Sequence, residues 1–439
     1  MSTIKNYIGD IKGSSRNSKL FLISYLFYAI QGGAYWTCYT VFIQMAFGEL
    51  ALGTMLSLNT LLVALFAIPM GALSSKVGYK KMLIFCNVLG TLTFGITALV
   101  PNMFFLLIIT ILTGPPSAAW DILAAPVINA TTTEKQRTTM NSMMYAGYWA
   151  IVALVSNLSG NGIVALQSSF GLTEIGAYKA FLLITAIISL IGTIPVLFMT
   201  EIKIEKVTKA VNEKKKTFVQ SFKEVANKEV LIYLVYMGLI GLGAGLFTPF
   251  FSNFFKSGLG LNPVQVGNVI SAQYLAMVIG MLVCPLLVKK FGRISTLGIS
   301  SLLSIPFMII IANCNMFGSA MLPVLAVSFF MRSGLMNLAM PVMYTQILDF
   351  VEPDKRATLS GIQSTFRSGL TSISSFVAGI VMTIPAFTIG SIVVDGYTLP
   401  YYVASALYIT ATVILFKVYH KKYNRIEETT ESEDLTKAS

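Results

Sequence analysis

The sequence predicts an all-α integral membrane protein of twelve transmembrane helices, arranged as two six-helix bundles with both termini in the cytoplasm. Three observations lead there. Of the 439 residues, 55% are hydrophobic and 11% charged, whereas soluble globular chains carry about a quarter charged residues. Apolar stretches of the roughly 20 residues a helix needs to cross a bilayer recur along the chain, without the alternation of lipid-facing barrel strands. Of the 31 Lys and Arg, all but Lys179, Lys256, Arg332 and Arg367 fall on one side of a twelve-span arrangement. Short loops rich in positive charge stay cytoplasmic, so that side is the inside.

The expected spans run over 19–47, 50–75, 80–100, 103–130, 138–166, 176–199, 229–256, 263–288, 293–313, 317–347, 356–385 and 398–418. The first is too long for a cleavable signal, holds Gln31 and Tyr35, and lacks a small-residue cleavage pattern, so it is expected in the mature protein. Its Tyr28, Gln31, Tyr35 and Tyr39 share a broad face, with Tyr25 and Trp36 nearby; the fifth span offers Asn141, Tyr145, Tyr148 and Trp149 at matching spacings. Such residues line a polar cavity or gather at interfaces and helix contacts. Asn253, Gln273 and Tyr274 are weaker candidates in the seventh and eighth spans. Gly32, Gly33, the glycines of 241–245 and Pro249 allow bends and close helix approach.

Ionisable groups inside spans are costly and therefore functional candidates. Asp121 lies toward the cytoplasmic end of the fourth span, with Gly114, Ser117, Ala118 and Ala125 on its side of the helix. It reads either as a carboxylate that carries a coupling proton or cation, or as a structural partner for an arginine or for backbone freed by nearby prolines. Arg332 and Arg367 fall near the middle of the tenth and eleventh spans. Around Arg367, Gln363, Ser364, Thr371 and Ser374 recur at three- and four-residue spacings, a stripe that suggests water. An arginine fork in a wet cavity suits a carboxylate or phosphate. The alternative is that both arginines tie helices together.

The polar stretch 200–228 divides the spans six and six. The expected organisation is an N-terminal bundle (1–199), a cytoplasmic linker (200–228), a C-terminal bundle (229–418) and a cytoplasmic tail (419–439). Internal correspondences support duplication. The second span ends in Gly71-Ala-Leu-Ser-Ser-Lys76-Val-Gly78-Tyr-Lys80-Lys81 and the eighth in Pro285-Leu-Leu-Val-Lys-Lys-Phe-Gly292-Arg293. Likewise Pro126-Val127 precedes Arg137-Thr138-Thr139, and Pro341-Val342 precedes Arg356-Ala357-Thr358.

The segment from Gly71 to Lys81 resembles the signature of the major facilitator superfamily between its second and third helices, G-x-L-[AS]-D-[RK]-x-G-[RKY]-[RK]-[RK]. Gly71, Leu73, Ser74, Lys76, Gly78, Lys80 and Lys81 fit; Ser75 stands where the family usually has Asp, and the basic RxxxG pattern of its fourth helix is absent. The resemblance implies a secondary transporter whose first and fifth helices line a central cavity, and a gating-loop role for Gly71, Lys76, Gly78, Lys80 and Lys81. It specifies no substrate.

Cys38, Cys86, Cys284 and Cys314 show no paired spacing and read as packing residues. His420 is the only histidine, which leaves no His-based metal site or catalytic triad. No nucleotide-binding loop or soluble ATPase-sized domain is present. Neither an enzyme, a cofactor nor a nucleic-acid partner is expected, the net charge of +12 being topological. The partners expected are a small-molecule substrate, the lipid bilayer and protons, for a multi-pass, functionally monomeric protein of the cell membrane. The function expected is secondary active transport by alternating access, of an organic anion coupled to protons through Arg332, Arg367, Tyr28, Tyr35, Asn141, Tyr145 and Gln363, with Asp121 for ion coupling. Export of amphipathic or drug-like compounds and a non-transporting sensor or scaffold are the alternatives.

Overall fold

The structure is a computed structural model that describes residues 9, 11, 13–202, 218–352, 355–390 and 392–424. The linker lysines within 203–216 and the tail from 425 lie outside the described residues. Long helices dominate the rest. They are α1 (Arg16–Ala34, continued by a π turn Tyr35–Tyr39 and by Thr40–Phe47), α2 (Glu49–Val77), α3 (Tyr79–Thr97), α4 (Met103–Thr131), α5 (Glu134–Phe170) and α6 (Glu174–Ile191, then Thr193–Leu197). The second half comprises α7 (Lys228–Phe247), α8 (Pro263–Phe291), α9 (Arg293–Ala312), α10 (Met321–Leu338, then Met340–Gln346), α11 (Arg356–Val381) and α12 (Leu399–Tyr423).

Among the described residues nine helices are long and apolar enough to cross a membrane. The segments 16–47, 79–97 and 356–381 are not among them. Each has a visible reason: α1 carries Gln31, Gly32, Gly33 and several tyrosines, α3 opens with Lys80 and Lys81, and α11 carries the polar stripe around Arg367. All three pack against other helices of the bundle, where polar residues find partners.

Local chemistry sets where the helices begin. Ser15, Asn102, Thr173, Asn227 and Asn262 each accept a hydrogen bond from a backbone N–H of the following turn, which satisfies donors that the helix leaves unpaired. The structure departs from the sequence expectation in three places. The tenth span is not one helix from 317, since Cys314–Ala320 is a 3₁₀ turn and Ala339 separates Met321–Leu338 from Met340–Gln346. The eleventh ends at Val381, not 385. Beyond it Phe387–Ile389 and Ile392–Val394 pair as an antiparallel hairpin, a small strand element that the all-α reading lacked.

The duplication is visible in geometry. Gly78 ends α2 and begins α3 at φ 95°, and Gly292 ends α8 and begins α9 at φ 87°. Only glycine adopts this backbone without strain. Each turn is covered by the segment after the sixth helix of its half. The Glu201 carboxylate lies over Gly78, and the Asn424 backbone lies over Gly292, where Asn424 accepts a hydrogen bond from Arg293 N at 3.0 Å.

The halves meet mainly where α2 packs on α11 and α5 on α8. The hydrogen bonds between described residues of the two halves lie toward the face opposite the linker and the end of α12. Asn253 Nδ2 donates to Thr40 O at 2.9 Å and to Gln44 Oε1 at 2.7 Å. Gln44 Nε2 donates to the Tyr397 hydroxyl at 2.5 Å, which itself donates to Glu49 Oε1 at 2.9 Å. Burial, reinforced by the adjacent Glu49 carboxylate, holds the Tyr397 phenol well above its ordinary range, so it remains a donor. Lys256 pairs with Glu174, Asn157 with Asn268 at 2.8 Å, and Ser57 with Ser372 at 2.9 Å.

Candidate functional site: a cleft between the halves

The sealed face leaves a cavity of about 320 Å³ between the halves. From α1 come Tyr28, Gln31, Tyr35, Trp36 and Tyr39. A π turn at Tyr35–Tyr39 lies within this stretch, and the spacing of these residues keeps them on one face of the helix. Their rings form a ladder: Tyr35 stacks on Tyr39 at 5.1 Å and Tyr39 on Phe94 at 5.3 Å. At the other end Tyr28 stacks on Trp120 at 4.6 Å. Tyr148 of α5 completes this wall, and its hydroxyl occupies the space where a Cβ on Gly32 would stand. The small residue at 32 is therefore what lets α5 bring a phenol into the cleft.

α4 contributes Thr110, Thr113, Ser117 and Asp121, one helical face at three- and four-residue spacing. Thr110 and Thr113 donate to the carbonyls of Leu106 and Ile109 within their own helix at 2.8 Å, so their oxygens remain available as acceptors. α2 adds Met55, Asn59 and Thr60, and the second half supplies Pro249, Thr371 and Ser375. Gln31 Oε1 accepts from Thr91 at 3.3 Å, which leaves its amide N–H groups for the cavity.

Asp121 is exposed in the cleft and has no hydrogen-bond or ion-pair partner among the described residues. The charge acting on it comes from Arg367, on the opposite half. Arg367 is also exposed; its guanidinium lies over the Tyr344 ring at 5.6 Å, and its stem runs beside Gly241 of α7. Arg367 itself is not among the residues that line the cavity; its charge acts on Asp121 from the other half.

Other sequence candidates sit elsewhere. Arg332 does not line the cavity: it is 3% exposed inside the second half, with its guanidinium 4.6 Å from the Phe247 ring and 5.1 Å from Phe251. Asn141 donates to Asn129 Oδ1 and to Arg137 O, both at 3.0 Å. Tyr145 is exposed but outside the cavity lining. Gln363 is buried with Oε1 unpartnered. The polar stripe of α11 is divided three ways. Thr371 and Ser375 face the cavity, Ser372 bonds Ser57 of α2, and Ser374 donates to Leu242 O of α7. In the loop after α2, Lys80 Nζ donates to Leu197 O at 2.9 Å and Lys76 is exposed. His420 Nε2 lies 3.1 Å from Ser295 Oγ at the end of α12. No group of three or more His, Cys, Asp or Glu comes together among the described residues.

A helical duplication around a central cleft limits the fold to few families. The family model of the Major Facilitator Superfamily matches residues 21–258 and 233–438. The chain belongs to that superfamily. It is a membrane transporter and not an enzyme. Among solved structures it is similar to a point mutant of the nucleoside transporter NupG, with a TM-score of 0.73 at 16% identity over 92% of this chain and 100% of that one. A bacterial homolog of the human lysosomal transporter Spinster, inward-facing and unoccupied, gives 0.71 at 14% over 94% and 99%. A D-xylose-proton symporter gives 0.68 at 12% over 94% and 98%. At such identities the likeness is one of fold. No curated protein matches the chain by sequence.

Sequence reasoning missed Asn59, Thr60, Thr110 and Thr113. A signal existed for Asn59, the one amide in the strongly apolar stretch Glu49–Ser74 of mean hydropathy 2.0. The threonines had none, since their hydroxyls satisfy themselves on the helix backbone and recur in membrane spans of every role.

Proposed function

We propose that this superfamily member couples the movement of a small, uncharged organic solute with a ring face and several hydroxyl or amide groups to a proton carried by Asp121. The halves 1–199 and 229–418 rock about the contacts of α2 with α11 and α5 with α8, with linker, tail and both termini in the cytoplasm of the cell membrane. The protein works as a monomer. The observation that carries this reading is the cavity wall: stacked rings, hydroxyls and amides surround one carboxylate, and among the described residues no base lines it. Flat faces and paired donors and acceptors suit such a solute. The printed names of the similar structures, a nucleoside transporter and a D-xylose-proton symporter, agree with it.

Arg367 favours a second reading, an organic anion with protons. When Asp121 is ionised it satisfies Arg367 across the cleft; when Asp121 takes a proton, the guanidinium is left for a solute carboxylate. The anion then enters with its proton. Of the two arginines on which that expectation rested, neither lines the cavity, and Arg367 is the one whose charge acts on Asp121.

The two readings differ in charge moved. A neutral solute with one proton is electrogenic, whereas a monoanion with one proton is electroneutral. Purified protein in liposomes, offered nucleosides and pentoses, mono- and dicarboxylates, and lipophilic cations under an imposed pH gradient, tests them. Uptake of a neutral ring solute that accelerates with an inside-negative potential supports the first. Potential-independent carboxylate uptake selects the second, and transport of lipophilic cations alone overturns both in favour of an exporter.

A further inference from the structure

Arg332 is the one charged side chain that the structure, among its described residues, encloses away from the cleft and leaves without a counter-charge. It projects from α10 into the second half, where Phe247 at the end of α7 and Phe251 just beyond it cover its guanidinium. Phe247 is packed on Tyr401 of α12 with ring centroids 4.8 Å apart. The cage is hydrophobic on its outer side: Phe251 meets Phe329 edge-on at 4.6 Å. No carboxylate pairs with Arg332 among the described residues, and the groups acting on its charge are the phenols of Tyr401 and Tyr408.

Two buried polar atoms here lack partners, Arg332 Nε and Tyr401 OH, while the Tyr408 hydroxyl interacts with the guanidinium itself. Tyr401 and Tyr408 lie seven residues apart on α12, two turns along one helical face, and both look toward the same guanidinium. The ring faces of Phe247 and Phe251 attract the cation through their quadrupoles, but they supply no acceptor for its N–H edge. A guanidinium has five N–H donors and no acceptor, and a tyrosine hydroxyl has one O–H donor and an oxygen that accepts but carries no charge. What the cluster lacks is therefore negative charge that accepts hydrogen bonds. An uncompensated charge and unmade bonds are both costly in a low-dielectric interior.

We propose that Arg332, Tyr401 and Tyr408 form a binding site for a single small inorganic anion of chloride size, buried inside the second half and separate from the solute cleft. The anion neutralises Arg332, accepts from its Nε–H and from the two phenols, and fixes α10 to α7 and α12. A solute carboxylate is a poorer occupant, since the cluster lies outside the cavity lining and is walled by rings. The site stands or falls independently of the solute transported.

The test uses the full chain purified in detergent in chloride-free sodium gluconate, titrated with sodium chloride or bromide at constant ionic strength. Thermal unfolding is read at each step. Specific binding to the native state raises the midpoint saturably. Tyr408→Phe keeps ring, charge and shape while removing one hydrogen bond to the anion, and is expected to raise the half-saturating concentration about tenfold or more. Arg332→Met is expected to abolish the halide response.

Equal unfolding midpoints in chloride and gluconate overturn the proposal, as does a halide response of unchanged midpoint concentration in Tyr408→Phe. Should the variants not fold, anomalous scattering from wild-type crystals grown in bromide decides the matter. A peak in hydrogen-bonding range of Arg332 Nε supports the site, and its absence there overturns it.

Discussion

Asp121 is one carboxylate acted on by one guanidinium, and that balance is why we propose it as the residue on which coupling turns. In the proposed coupling, the ionised carboxylate is attracted to Arg367 and the protonated one releases it. Asp121→Asn imitates the protonated form permanently. A one-unit pH gradient coupled to one proton per neutral solute sustains about tenfold accumulation. The Asn variant is expected to lose that accumulation and equilibrate the solute to equal concentrations, while still exchanging labelled for unlabelled solute. Accumulation unchanged in Asn at every imposed gradient would reduce Asp121 to a structural group. The sequence made this residue visible because a lone acid in an apolar span has no cheap explanation. Arg332 raised the same signal, yet the structure places it away from the cleft. Spacing along a helix gives the direction of a side chain within its own element, but which neighbour lies in that direction is a tertiary fact. For Arg332 the neighbours are Phe247 and Phe251, at and just beyond the end of α7, which hydropathy registers only as apolar.

Glycine turns at the ends of α2 and α8 show what the sequence discloses about whole elements. Gly78 and Gly292 were legible as equivalent points of a duplicated unit because their basic flanks repeat. What covers each turn was not, since Glu201 and Asn424 are more than a hundred residues away in sequence. The covers differ, and so should the mutants. A methyl at either position forces a residue other than glycine to φ near 90°, which costs about 1–3 kcal/mol. At Gly78 it also collides with the Glu201 carboxylate, the far end of a side chain that can turn away; at Gly292 it collides with the Asn424 backbone oxygen, which cannot. Gly292→Ala is therefore expected to lower the thermal midpoint more than Gly78→Ala, with both below the parent. Equal midpoints for the two variants would refute the role assigned to Asn424. α11 marks the limit of element-level reading: its stripe suggested water, and its hydroxyls go to the cleft, to α2 and to α7 in turn, a division that periodicity alone does not resolve.

Across the whole molecule, the bonds between halves are concentrated at one face, and the two charges of the cleft are exposed on the other side of them. That asymmetry defines a state open toward the linker and the end of α12. Transport by rocking requires these bonds to break as the opposite face opens. Asn157 of α5 and Asn268 of α8 supply a test, because their side chains already touch at 2.8 Å between different halves. Cysteines replacing both, joined by a short bifunctional thiol reagent, should hold the face shut. The native Cys38, Cys86, Cys284 and Cys314 are all buried, so a double variant is expected to react chiefly at the introduced pair. Cross-linking should abolish net uptake into liposomes, and a reducible linker should restore it when cleaved. Binding measured on detergent-solubilised protein should survive the cross-link, because the cleft remains open at its other end. Loss of binding together with transport would mean that the linker had damaged the site, and full transport in the cross-linked protein would contradict rocking about α5 and α8. The two outcomes separate the architecture from the mechanism assigned to it: a six-plus-six arrangement is compatible with either, whereas alternating access demands that closing one face permanently leaves solute access from the other alone.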